Sequence, residues 1–330
     1  MPEGHTVHRL ARALDGLFGG QPLAVSSPQG RFAGGAALLD GRRVAAVEAW
    51  GKQLFCGFAA DPAADPADDP ADGRADLRWL RVHLGLYGAW TFAGDGPDVV
   101  HAIGAPRRRV GERETVPAGP APTADGGWEA PEPRGAVRLR LLADHAVADL
   151  TGPTACEVLT PAEKAAVEAR LGPDPIRSDG DRDVFVDRVR RSRVTVGQQL
   201  MDQAVIAGVG NIYRAEALFR AGLDPLRPGR EVPAATLAAI WDDLVVLMRD
   251  GADGGAIVTT CPEHRVPDGG GGDPRRVTRQ NTDGDAGAVP RDASFYVYHR
   301  AGLGCRVCGS PVLTKELAGR NLFWCGVCQA

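Results

Sequence analysis

Two C-x2-C pairs close the chain: CRVC at Cys305 and Cys308, then CGVC at Cys325 and Cys328, with sixteen residues between them. Thiolates two residues apart can bind one tetrahedral metal, and a spacer of this length folds into a hairpin that joins the pairs. A four-thiolate site leaves no open position for chemistry, so one structural zinc ion is the expected cofactor. It would contribute about 10 kcal/mol or more to folding this unit. Three further cysteines, Cys56, Cys156 and Cys261, have no partner at metal spacing. An odd total of seven argues against a disulfide framework.

Charge decides little until it is located. The net charge is −4, but residues 59–76 (AADPAADPADDPADGRAD) alone carry −5, so the rest of the chain is slightly positive. The last forty residues carry +3, so positive charge is local and the global charge does not decide the partner. Only three of the 38 basic residues are lysine: Lys52, Lys164 and Lys315. A position that keeps lysine against so strong an arginine bias is a candidate for needing an ammonium. No run is long and apolar enough to span a bilayer, and the N-terminus lacks a secretory pattern. The expectation is therefore a cytoplasmic protein with no membrane partner.

The opening MPEGHTVHRL admits two readings. Proline with a following carboxylate is a common helix start. Removal of the initiator Met would also expose Pro2 as a free secondary amine, able to attack a sugar aldehyde carbon and form an iminium. Val7, Leu10, Leu14 and Leu17 recur at helical spacing until Gly19-Gly20. Short strand-like runs follow (RVAAVEAW, KQLFCGF, DLRWLRVHLGLYGAWTF, AVRLRLLADHAVADL), broken by the acidic insert and a Pro/Gly/Ala stretch near 115–134. The pattern turns helical from about Val184, with runs VFVDRVRR, VTVGQQLMDQAV, NIYRAEALFRAG and ATLAAIWDDLVVLMRDG. The expected domains are a β domain over 1–150, a linker over 151–183 and a helical domain over 184–266. A mobile loop over 267–292 and a zinc finger over 293–330 complete the chain. In QQLMDQAVIAGVGNIYRAEALF, AGVGN breaks two helical stretches, and Asn211 is placed to cap the second. By itself this fits any helix–turn–helix.

Taken together, these motifs resemble the bacterial formamidopyrimidine-DNA glycosylase/endonuclease VIII family of base-excision-repair enzymes, its endonuclease VIII branch most closely. The resemblance rests on MPEG, Gly51-Lys52, HLGLYG at 83–88, DQxxxAGVGNIYRAE, and the four-cysteine finger with Arg320 before its last pair. It implies an α+β protein of two domains. An N-terminal antiparallel β-sandwich with an N-terminal helix would precede a helix–two-turn–helix domain with a C-terminal zinc finger. The partner it implies is damaged double-stranded DNA, gripped with the damaged nucleotide flipped out; use of single-stranded DNA is left open. The protein would be a monomer associated with the bacterial nucleoid.

By similarity, Pro2 is the nucleophile, Glu3 shuttles protons, and Lys52 touches phosphate and assists proton transfer. Asn211 would bind phosphate beside the lesion, and Arg320 would grip the strand at the flipped nucleotide. Leu86 and Tyr87 would fill the space the base vacates, with core packing as the rival reading for both. His83 is expected to be structural. The expected activity is a bifunctional glycosylase/abasic-site lyase for oxidised pyrimidines, ending in β,δ-elimination. Two alternatives stand beside it: an oxidised-purine glycosylase for substrates such as 8-oxoguanine, and a zinc-finger lesion binder without catalysis. His5-Thr6 departs from the Pro-Glu that relatives often carry, which touches base preference more than lyase chemistry.

Overall fold

The computed structural model describes residues 2–60, 76–95, 102–105, 128–265 and 289–330. Most of the acidic insert, of the Pro/Gly/Ala stretch and of the expected 267–292 loop lies outside the described residues. The chain divides into two compact units. The first holds Met1–Pro2 and Thr6–Ala169; the second holds Glu3–His5 and Arg170–Ala330.

Helix α1 (Gly4–Phe18) belongs to the first unit from Thr6 onward and is followed there by β1 (Ala24–Ser26) and α2 (Ala33–Leu39). Strands β2 (Arg43–Trp50), β3 (Gln53–Ala59), β4 (Arg78–His83), β5 (Ala89–Gly94) and β6 (Ala102–Gly104) come next. They are followed by β7 (Val137–Leu142), β8 (Ala146–Thr151), β9 (Ala155–Leu159) and helix α3 (Pro161–Glu168). Two antiparallel sheets form, in the orders β1-β7-β8-β5-β6 and β2-β3-β4-β9. One apolar core draws Leu54, Phe58, Leu80 and Val82 from the second sheet and Trp90, Leu139, Leu141 and Leu150 from the first. A core shared in this way is what makes two sheets a sandwich. Val7, Leu10 and Leu14 enter the same core at the spacing read from the sequence, with Phe18 as the last buried position of the helix. Leu17 packs at its margin.

Part of the expected 151–183 linker is not linker. Cys156 and Val158 alternate into the β4 edge as β9, and α3 closes over the outer face of that sheet. A Thr160/Glu163 capping box starts α3. Its Lys164 sits 4.3 Å over the Trp79 ring and pairs with Glu48 and Glu168 at 2.9 and 2.6 Å. Lys164 thus holds the helix to the sheet.

The second unit contains α4 (Arg182–Arg190), α5 (Val196–Gln199), α6 (Asn211–Arg220), α7 (Ala234–Gly254) and the hairpin β10 (Leu313–Leu317) and β11 (Arg320–Trp324). Leu200, Ile206, Ile212, Leu218, Leu244 and Met248 share a core with Val312, Phe323 and Cys325 of the C-terminal hairpin. The expected helix over VTVGQQLMDQAV is cut to the single turn α5, because side chains replace its backbone bonds. Asp202 accepts from the Ala204 N–H at 2.9 Å, and the Gln203 amide donates to the Val209 carbonyl and accepts from the Gly208 N–H. Among the described residues no helix is long and apolar enough to cross a membrane.

Candidate active site and nucleic-acid interface

In the first unit, Lys52 lies on the two-residue turn between β2 and β3, where Trp50 and Gln53 are paired and Gly51 supplies a φ of 58°. His83 stands across from Gln53 at the end of β4. Burial, then the Lys52 ammonium and Arg81, push its imidazole below the ordinary pKa. The same ring accepts the Gly85 N–H at Nδ1, 3.1 Å away, so the neutral form with the proton on Nε2 fits both observations. His83 shapes the loop that follows it, in keeping with its expected structural part.

That loop is HLGLYG. Leu84 is buried, Gly85 has φ 65°, and a Cβ there would collide with the Thr154 hydroxyl. A Cβ on Gly88 would meet the Leu84 backbone. With the two glycines fixing the turn, Leu86 and Tyr87 project at its tip, 42% and 81% exposed. The core-packing reading fails for both residues. Adjacent exposed Leu and Tyr on a rigid turn have the shape of an apolar wedge for stacked bases.

In the second unit, the Glu3 side chain is fully buried at the start of α6. Its carboxylate accepts the N–H groups of Gly210 at 2.9 Å, Ile212 at 2.8 Å and Tyr213 at 3.4 Å. Three amide donors at the positive end of a helix dipole are complementary to a carboxylate. The Gly4 N–H also donates to the Gly208 carbonyl at 2.8 Å. Gly208 (φ 90°) and Gly210 leave room for this approach: a Cβ on Gly210 would meet the Glu3 carboxylate. The chain therefore fixes Glu3 with three hydrogen bonds and Gly4 with a fourth, while Pro2 itself is buried.

The expected cap role of Asn211 is corrected here. Gly210 is the N-cap residue, no side chain of the helix caps it locally, and Glu3 takes that part from more than 200 residues away in sequence. Asn211 instead points toward the finger. Its Nδ2 donates to the Asn321 carbonyl at 3.0 Å, and its Oδ1 accepts from Arg214. Arg214 is fully buried and also donates to the Asn321 carbonyl at 3.2 Å. Burial pulls its pKa down to about 10 against the opposing charge of Glu3. Arg320, exposed at the start of β11, adds a like charge that Arg214 feels. Arg214 and Asn211 thus tie α6 to the strand that carries Arg320.

Sequence reasoning missed Arg214 and Glu216. Glu216 is also fully buried, and accepts from the Thr259 hydroxyl and the N–H groups of Tyr296, Val297 and Tyr298 at 2.8–2.9 Å. Burial raises its pKa while those donors oppose the rise. One available signal was two charges inside NIYRAEALF, a helix whose first nine residues are all buried. Charges on such a helix must have partners, although spacing does not say which.

The four C-terminal cysteine sulfurs lie within 4.8 Å of one another. None is in a disulfide, and Cys305–Cys328 and Cys308–Cys325 are 3.9 and 3.5 Å apart. Four thiols gathered from two knuckles fit one tetrahedral zinc.

A family model described as the formamidopyrimidine-DNA glycosylase N-terminal domain matches residues 1–117, and one for the formamidopyrimidine-DNA glycosylase H2TH domain matches residues 171–262. Endonuclease 8 1 of Mycobacterium tuberculosis is 41% identical over 329 residues, covering 100% of both chains. Formamidopyrimidine-DNA glycosylase of Geobacillus kaustophilus is 33% identical over 162 residues, 49% of this chain and 52% of that relative. Among solved structures, the MutM (Fpg) protein of Thermus thermophilus superposes with a TM-score of 0.64 at 23% identity, covering 99% of this chain and 98% of that one. The Lactococcus lactis Fpg in complex with DNA containing an abasic site gives 0.63 at 17% identity, covering 99% of each chain. These two likenesses concern the fold. The chain belongs to the formamidopyrimidine-DNA glycosylase/endonuclease VIII family of DNA-repair glycosylases.

Proposed function

We propose that this protein is a bifunctional DNA glycosylase/abasic-site lyase that removes oxidised pyrimidines from duplex DNA, with Pro2 as nucleophile. The observation that carries the reading is the anchoring of Glu3. A carboxylate held by three amides of α6 sets the backbone position of its neighbour, the one residue whose amine is freed when Met1 is removed. An α-amino group titrates near pH ~8 even unperturbed, so a neutral amine is available at physiological pH.

The amine attacks C1′ of the flipped nucleotide, the C1′–N bond breaks, and the base leaves with a proton. Loss of the amine proton and opening of the sugar ring give an iminium, with the ring oxygen protonated. The iminium acidifies C2′; loss of that proton expels the 3′ phosphate, and a second elimination expels the 5′ phosphate. Glu3 carries protons in ring opening and elimination. Lys52, an ammonium on a tight turn, pairs with phosphate and assists proton transfer. Arg320 grips the strand at the flipped nucleotide, Asn211 supports phosphate binding beside it, and Leu86 and Tyr87 fill the vacated stack. Zinc in the four-thiol site supplies folding of the finger, and so holds β11 and Arg320 in place. The protein acts as a monomer in the cytoplasm.

The pyrimidine preference is supported by the MPEG start and the Leu86-Tyr87-Gly88 loop tip. Base release from matched duplexes, one with an oxidised pyrimidine and one with 8-oxoguanine, tests it. Faster release of the pyrimidine is expected. Faster release of 8-oxoguanine would replace the reading with the sister specificity.

A further inference from the structure

One ligand cluster in the second unit lies outside the finger and contains Cys261, which has no second cysteine at metal spacing. Cys261, Glu263 and His264 come from one short turn, TCPEHR, and their ligand atoms lie within 4.8 Å of one another. The turn is a 3-10 helix over Pro262–His264, closed by the His264 N–H donating to the Cys261 carbonyl at 2.9 Å. Pro262 fixes its first dihedral, so three donors of different chemistry are gathered before any ligand arrives.

We propose that this turn is a second metal site, for a borderline transition-metal dication such as zinc or cobalt(II). A thiolate, an imidazole and a carboxylate form the mixed S/N/O set that such ions accept. The histidine has the outer partner that metal-bound imidazoles usually have. The Tyr296 hydroxyl lies 2.9 Å from Nδ1, and it also accepts the Cys261 N–H at 3.0 Å. Tyr296 is itself held by stacking on Phe219 at 4.7 Å and by its own N–H bond to Glu216. One aromatic side chain therefore orients two of the three ligand residues.

The surrounding charge is compatible with a dication. Arg220 lies 4.0 Å from the Cys261 sulfur, and its own charge is met by a bidentate pair with Asp243 at 2.7 Å. Glu263 is exposed, which leaves the remaining coordination positions to water. Arg306, inside the first knuckle of the finger, donates to the His264 carbonyl at 3.4 Å and to the Phe295 carbonyl at 2.9 Å. Occupancy would stiffen this turn against the finger while leaving the four-cysteine site unchanged.

Cobalt(II) titration of the full-length protein already loaded with finger zinc tests the proposal. One further equivalent per chain is expected, with a sulfur-to-cobalt absorption band. Cys261→Ser and His264→Ala should each abolish that equivalent while retaining the finger zinc. Glu263→Gln, at an exposed position that does not endanger folding, should weaken it. Tyr296→Phe should still bind, about 10–100-fold more weakly, the usual effect of losing an outer-shell partner. Absence of a further equivalent in the wild type, or an unchanged band in Cys261→Ser, would overturn the assignment.

Discussion

The loop at 83–88 and helix α6 both present candidate site residues, and they do so by opposite means. The loop displays Leu86 and Tyr87 to solvent on a turn that two glycines fix. Helix α6 is buried along its first nine residues, and several of its polar groups are met by groups distant in sequence. Glu3 meets its N-terminus, Asn321 meets Asn211 and Arg214, and the 296–298 backbone meets Glu216. An exposed tip is specified locally and can change its side chains at small energetic cost. A buried polar helix is specified by its partners, and removing one member leaves the others unsatisfied.

That contrast orders the effects of substitution. Glu216→Ala should do the most damage, stranding three backbone N–H groups and a hydroxyl in the core. A loss of about 4 kcal/mol or more in the second unit is expected, read by chemical denaturation. Glu3→Gln keeps the shape but turns an amide N–H₂ toward amide donors. It should lower stability by about 2 kcal/mol and excision by roughly 10²–10⁴-fold, read by denaturation and single-turnover kinetics.

In the loop, scaffold and tip should separate cleanly. Gly85→Ala forces a positive φ on alanine and a collision with Thr154, for a loss of about 1–3 kcal/mol in the first unit. Tyr87→Ala should move stability by less than about 0.5 kcal/mol while lowering excision of a paired lesion, read by comparing melting and turnover. Comparable losses of stability in Gly85→Ala and Tyr87→Ala would break the comparison.

The smallest effect is the pH dependence of His83. Its folded pKa lies below the unfolded value near ~6.5, so the unfolded chain binds the proton first as pH falls. The His83 contribution should be fully present above that value and decline through the window below it. His83→Asn, which keeps an acceptor for the Gly85 N–H, should show a flatter decline in denaturation midpoint between about pH 7.5 and 5.5.

The same contrast marks what could be read from the sequence. The four cysteines and the helix from Val7 to Leu14 follow from spacing, and the structure contains both. Leu86 and Tyr87 lay inside a strand-like run, and their exposure rests on the turn that Gly85 makes against Thr154, in the distant turn between β8 and β9. Asn211 looked like a helix cap because asparagine before an apolar run usually is one. The group that caps the helix is Glu3, which no local rule connects with residue 210. Strand β9 was hidden because ACEVL alternates too briefly to stand out from a linker. Only pairing with β4 makes it a strand.

The central claim is that fixing Glu3 at the start of α6 positions the Pro2 amine for attack on C1′. Borohydride trapping of the Met-processed protein on an oligonucleotide with one abasic site tests it most directly, alongside Pro2→Gly, an N-terminally extended chain and Glu3→Gln. The account predicts a covalent complex with the processed wild type, none with the extended chain, and a marked slowing in Glu3→Gln. No complex from processed, zinc-loaded protein, or an undiminished complex from the extended chain, would contradict it.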